Sequence, residues 1–263
     1  MLHKNEDIGN RIKSNYENRA KNFLTRRIPV IIRVDGKSFS KFCNRFEKPY
    51  SYPLNTMLCS VLKYLCENIQ GAKFGERHSD EISILVTDFD TLTTDAYFDY
   101  SVQKICSITA SMATSEFCRQ LIINNEKSIK PVLFVEEKWP TFDSRCFNIP
   151  EDEISNYFWW RNIDCTRGSI NMLAQSKFSH KELQNKNCKE MQEMIFNKFN
   201  INWNDLPQFQ KTGFICTRKN AEKEIEKGPN KGEKCLRSFW EIESSPKTRN
   251  EIDSIISKIL NKS

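Results

Sequence analysis

The stretch that decides the fold is AKFGERHSDEISILVTDF, residues 72–89. Two strand-like runs, AKFGER and EISILVTDF, flank a polar HSDE, which predicts a β-hairpin with a charged tip. Upstream, IPVIIRV (28–34) is apolar at successive positions, as a central strand covered on both faces must be. Between the two, LNTMLCSVLKYLCENI (54–69) spaces Leu54, Met57, Leu58, Val61, Leu62, Leu65 and Ile69 for one helical face on the sheet. Residues 98–117 repeat that spacing through Phe98, Val102, Ile105, Thr109, Met112 and Ala113. A polar loop near 124–130 then leads into PVLFVEE (131–137), a further short strand. Strand, helix, hairpin, helix, strand is a split β-α-β order, so the expected class is α+β, a ferredoxin-like antiparallel sheet with helices packed on one face.

The second half reads as more helical. Ser179 and Glu182 in FSHKEL form a capping box that should open a helix. Trp159 and Trp160 are expected in the core. EKGPNKGEK (226–234) reads as an exposed loop, and Lys219, Lys223, Lys227, Lys231, Lys234 and Arg237 alternate with glutamates as a solvated basic tail. Residues 1–150 are expected to form the catalytic core, and 151–263 a helical remainder that completes the same unit.

Composition sets bounds. With 263 residues the chain can bury a real core, and its longest apolar runs are too short to span a bilayer. The N-terminus lacks the apolar segment of a secretory signal, so a cytoplasmic location is expected, with a mitochondrial one left open. The ten cysteines show no C-x-x-C spacing, which argues for reduced buried thiols rather than zinc or disulfides. A net charge of +6 permits an anionic partner such as RNA or a nucleotide.

The chemistry sits in the carboxylates. Asp35 ends the first strand, and Asp80 and Glu81 occupy the hairpin tip. A split β-α-β sheet sets that strand beside the hairpin, so the three would meet at one edge. Carboxylates from neighbouring strands can share two divalent cations, and Mg²⁺ prefers a few carboxylates plus phosphate oxygens. Gly36 leaves room for a phosphate or lends a carbonyl, and the amides of Lys37, Ser38 and Phe39 could cradle a triphosphate. An ordinary Asp-Gly turn and ordinary hairpin chemistry are the alternative. His78 reads as a polar hairpin residue. Arg161, Asp164, Arg167 and Ser169 read as a nucleotide- or RNA-facing helix start, with an internal Arg–Asp pair as the alternative; His180 is a further candidate phosphate or RNA contact.

These residues carry a resemblance. RVDGKSFSKF (33–42), HSDEIS (78–83), TFDSRCFNIP (141–150), YFWWRNIDC (157–165) and FNINWNDLP (199–207) resemble, in order and spacing, the motifs of the tRNA(His) guanylyltransferase-like family. That likeness implies a polymerase-palm-type domain that adds nucleotides to RNA 5′ ends in the 3′-to-5′ direction. It implies two Mg²⁺ ions on Asp35, Asp80 and the Gly36 carbonyl, with Ser79 and Glu81 in support. It assigns the triphosphate to Lys37, Ser38, Phe39, Lys48 and Lys104. ATP and GTP or another NTP are the implied substrates, tRNA the partner, and a homotetramer the assembly. Where family members that guanylate tRNA(His) carry H-I-N-N-L-Y-N, this chain has TRGSINM (166–172), and Met191 stands for a late family lysine. It is more similar there to the branch associated with template-directed 5′-end repair. Guanylation of tRNA(His) proper, a palm-type nucleotide cyclase and a catalytically idle RNA-binding module are the alternatives.

Overall fold

The computed structural model describes residues 5–125, 139–224 and 232–260. Strand β1 (Val30–Lys37) leads through the short helix α2 (Phe39–Phe42) to α3 (Tyr52–Asn68), then β2 (Ala72–His78) and β3 (Glu81–Val86). Helix α4 (Val102–Asn125) returns to β4 (Thr141–Asn148). The second half holds α5 (Ile154–Gln175), α6 (His180–Leu183), α7 (Cys188–Phe199), α8 (Gln208–Lys211), β5 (Phe214–Glu224), β6 (Lys234–Ser244) and α9 (Arg249–Ile259); α1 (Asn5–Ile12) precedes the sheet.

The described strands form one sheet in the order β4-β1-β3-β2-β5-β6, every pairing antiparallel. Its first four strands, with α3 and α4, are the split β-α-β unit the periodicity predicts. The run 131–137, read as a strand, lies outside the described residues; the strand beside β1 is β4, the segment TFDSRCFN. No helix among the described residues is long and apolar enough to cross a membrane.

β1 is central because both faces are covered. Val30, Ile31, Ile32 and Val34 expose no surface, and each such burial is worth roughly 1.5–3 kcal/mol. Val30, Ile32 and Val34 pack with Leu62 and Leu65 of α3 and Phe117 of α4. On the opposite face Ile31, Phe74 and Leu85 meet Phe158 of α5 and Ile252 and Ile256 of α9. Helices therefore cover both faces, where the sequence reading put them on one. A third cluster, with Ile170, Leu173, Met191 and Ile195, ties α5 to α7, so Met191 is a core residue.

Three further differences have local causes. The segment read as a basic tail is largely the β5–β6 ribbon, paired from Phe214 with Ser244 to Glu224 with Lys234. β2 pairs with β5 only as far as Thr217, so the rest of the ribbon extends past the sheet. Residues 225–231, including Lys227 and Lys231, lie outside the described residues. Trp159 does pack on the second core cluster, but Trp160 is half exposed, with the Arg161 guanidinium 4.5 Å from its ring centroid. Arg161 also sits well inside α5, which opens at Ile154 rather than near this block.

Candidate active site

The register of β1 puts Asp35 opposite Asp143 of β4 at the end of the strand. The β2–β3 turn is Ser79–Asp80, bracketed by the His78–Glu81 pair, and Ser79 takes a left-handed backbone with φ 53°. Its hydroxyl bonds Asp80 Oδ1 at 3.0 Å. Asp80 folds back over Gly36: a Cβ added there would lie 2.6 Å from Asp80 Oδ2 and 2.4 Å from the Phe39 ring. Glycine is required because the carboxylate and ring fill the space any side chain needs.

Burial raises Asp80 above the usual carboxylate range, its own backbone amide and Ser79 pull it back, and the charges of Asp35 and Glu81 add to the rise. The field reaches Cys43, whose thiol is pushed up to about 11, by burial first and by Asp80 second. Among the described residues the cation paired with Asp35 is Arg145, at 3.8 Å, and Arg145 is more closely engaged with Asp143 at 2.8 Å. Two crowded carboxylates with little cationic compensation fit a divalent ion. Among the described residues no three His, Cys, Asp or Glu side chains group to enclose a metal. The protein's share would be Asp35, Asp80 and the Gly36 carbonyl, an open set suited to Mg²⁺ completed by phosphate oxygens and water.

Glu81 has a different setting from Asp80. Arg161 Nη2 donates to Glu81 Oε2 at 3.0 Å, and its Nε lies 2.7 Å from Oε1 in an ion pair too bent for a hydrogen bond. Arg161 also holds Asp164 at 3.3 Å, and Arg33 approaches Glu81 at 3.9 Å. The internal Arg–Asp pair is thus present, and Glu81 anchors the tip to α5.

A cavity of about 890 Å³ opens over this edge. It is lined by Asp35, Gly36, Ser38, Phe39, Ser79, Asp80, Glu81 and Lys48, and by Arg161, Asp164 and Ser169. Lys48 is exposed on the wall, its Nζ donating to Asn44 Oδ1 at 2.7 Å. Ser38 takes a left-handed backbone before α2, whose Phe39 ring is buried against Phe42, Phe117 and Phe142.

Other candidates fall elsewhere. Lys37 is exposed at the end of β1 and does not line the cavity. On α4, Thr114 bonds the Phe142 amide, level with Gly36, whereas Thr109 and Cys106 reach Ser144 and Cys146 further along β4. Lys104 therefore lies at the far end, about 15 Å along the helix from Thr114. Arg167 is exposed and paired with Asp164, and His180 is exposed in the first turn of α6 behind its capping box. Ser169 is buried and fully engaged: it accepts from Trp203 Nε1 at 3.1 Å, shares a bond with the Tyr50 hydroxyl at 3.0 Å and donates to the Gln210 carbonyl. It joins α5 to the segments that carry Tyr50, Trp203 and Gln210 while lining the cavity.

Several cavity residues escaped the sequence reading. Arg77, Asn55, Tyr50 and Gln210 line it without being singled out by any motif, and Cys165 lines it as the end of the YFWWRNIDC block, which assigns it no role. His78 is no surface hairpin residue: it is buried 3.1 Å from the buried Glu76. Burial opposes its charge, but Glu76 and Cys165 together outweigh that and raise His78 to about 10.

The comparisons with known proteins agree with this geometry. The family model for tRNAHis guanylyltransferase (Thg1) matches residues 9–150. A bacterial tRNA(His) guanylyltransferase (Thg1)-like protein, solved in complex with ATP, is 38% identical and superposes with a TM-score of 0.79, covering 95% of this chain and 98% of its own. The corresponding complex with GTP gives 36% identity and a TM-score of 0.76 over 96% of this chain and 99% of the other. A probable tRNA(His) guanylyltransferase of Dictyostelium discoideum is 28% identical over 81% of this chain and 84% of its own length.

Proposed function

The chain belongs to the tRNAHis guanylyltransferase (Thg1) family of nucleotidyltransferases, and from that premise we propose that it adds nucleotides to the 5′ end of tRNA or tRNA-like RNA, directed by the opposing strand and dependent on Mg²⁺. The observation that carries this reading is Asp80 folded over Gly36 beside Asp35, at the mouth of a cavity large enough for a nucleotide. The ATP and GTP complexes of the similar bacterial protein support nucleoside triphosphates as substrates.

In the first step a 5′-phosphate oxygen of the RNA attacks the α-phosphorus of ATP, and pyrophosphate leaves. In the second the 3′-hydroxyl oxygen of an incoming NTP attacks the activated 5′ phosphorus, and AMP leaves. An RNA that already bears a triphosphate needs only the second step, with pyrophosphate as leaving group. Asp35, Asp80 and the Gly36 carbonyl would hold Mg²⁺, which supplies a lowered pKa for the attacking hydroxyl and charge neutralisation at the phosphates. The chain's own groups set the geometry: Arg161 fixes Glu81 and so the height of the tip, Ser79 fixes the Asp80 rotamer, and Lys48 offers a cation on the wall.

Template direction, rather than guanylation of tRNA(His) alone, is supported by the 166–172 segment. Its Thr166, Gly168 and Ser169 stand where the family's histidine and the two asparagines of I-N-N would be, and Ser169 is committed to internal bonds. Likeness to the solved relative runs through 95% of the chain, second half included, which favours RNA extension over a palm-type cyclase. The test is extension of 5′-truncated tRNAs with ATP, NTPs and Mg²⁺. Lengthened 5′ ends that vanish in Asp35→Ala and Asp80→Ala are expected; normal extension by both variants, or a cyclic product from GTP without RNA, contradicts the reading.

A further inference from the structure

Among the described residues Arg77 is a buried cation with no carboxylate partner. It is 4% exposed, and β2 turns it toward α3. Nη1 donates to the Ser79 carbonyl at 2.7 Å, Nη2 donates to Asn55 Oδ1, and the guanidinium lies 5.0 Å from the Phe214 ring centroid. Among the described residues Nε has no hydrogen-bond partner and no carboxylate pairs with the group. A guanidinium cannot shed its proton, and a lone buried ion costs several kcal/mol. Arg161, on the other side of the same hairpin, has both Glu81 and Asp164.

Arg77 lines the cavity, and so does the start of α3. This helix is 17 residues long, its cap is Ser51, and Ser51, Leu54 and Asn55 all face the cavity. The positive end of its dipole therefore opens into the space beside Arg77. Lys48 stands on the same wall. A helix N-terminus and a buried guanidinium to which no described carboxylate is paired meet at Asn55, and they share the cavity with Lys48, although Glu47 and Asp80 also line it.

We propose that Arg77, the first turn of α3 and Lys48 form a phosphate subsite that takes the polyphosphate of a nucleoside triphosphate. Its ligand class rests on the nucleotidyl-transfer reading; its existence as an anion site does not. The subsite shares its cavity with Ser38 and Phe39 but differs in the residues that hold the anion, helix α2 having only four residues. Filling it provides the counter-charge that Arg77 lacks, and so couples nucleotide binding to the placement of Ser79 and Asp80 through the Arg77–Ser79 bond.

The experiment is calorimetric titration of the full chain with inorganic tripolyphosphate in EDTA, so that no divalent ion contributes. Arg77→Met should weaken binding about 10- to 100-fold, the worth of one charge-assisted contact, and Arg77→Lys less. Asn55→Asp keeps the guanidinium but supplies the missing carboxylate, and should lose binding as fully as Arg77→Met. Without ligand, Arg77→Met should melt no lower than wild type, and tripolyphosphate should raise the melting temperature of wild type alone. Tripolyphosphate bound equally by wild type, Arg77→Met and Asn55→Asp overturns the proposal. So does a wild type that ignores tripolyphosphate, or an Arg77 dependence seen with guanosine or adenosine instead. RNA extension run in parallel separates the two readings: Arg77-dependent binding without extension keeps the subsite, and extension with Arg77-independent binding keeps only the reaction.

Discussion

The two sides of the β2–β3 tip differ in how their charges are settled. On the α5 side Glu81 is enclosed by Arg161, which also takes Asp164, and Ser169 satisfies three neighbours at once. On the α3 side Asp80 is crowded by Asp35 over a glycine, and Arg77 has no anion among the described residues. Groups that complete one another inside the chain give it shape. Groups that remain incomplete are the ones we propose take ligands, a cation at the carboxylates and an anion at Arg77. Adjacent residues such as Asp80 and Glu81 thus differ in role although they are chemically alike.

That contrast can be broken in several places. The largest effect is expected at the incomplete carboxylates: Asp80→Asn or Asp35→Asn should cut RNA 5′ extension by about 10³-fold or more, with a melting temperature close to wild type. Gly36→Ala comes next, because its Cβ must displace Asp80 or Phe39; a shift of that size is expected to cost about 100-fold in extension rate. The completed side should respond in stability instead. Arg161→Met strands Glu81 and Asp164 and should lower unfolding free energy by about 3 kcal/mol in a urea melt. Arg77→Met, which removes an uncompensated charge, should show no such loss. Equal destabilisation by the two arginine variants would erase the distinction. The smallest effect is expected at Ser169→Ala, which leaves the Trp203 indole and the Gln210 carbonyl unpaired and should cost about 1–2 kcal/mol.

The readable parts of this molecule were those where one residue pattern had a single structural outcome. β1 is apolar on both faces, α3 has an unbroken stripe, and the tip is polar between two strand-like runs, so the residue pattern alone brings Asp35, Gly36 and Asp80 together. The β5–β6 ribbon was hidden because it extends past β2 with lysine, glutamate and asparagine on exposed faces, giving no apolar alternation to read. The internal bonds of Ser169 are not legible because a small polar residue in a motif says nothing about Tyr50, Trp203 and Gln210, which reach it from distant segments. Lys104 has suitable chemistry, but the direction of α4 along β4 carries it to the other end of the sheet. Arg77 gave no signal, since its meaning lies in a missing partner.

The central claim is that the open carboxylate pair performs template-directed addition to an RNA 5′ end. Its most direct test is a set of 5′-truncated tRNAs that differ only in the nucleotide opposite the missing position, incubated with Mg²⁺, ATP and all four NTPs. The account predicts that the added nucleotide follows the opposing base and that Asp80→Asn adds none. Guanosine added regardless of the opposing base, or extension undiminished in Asp80→Asn, would contradict it.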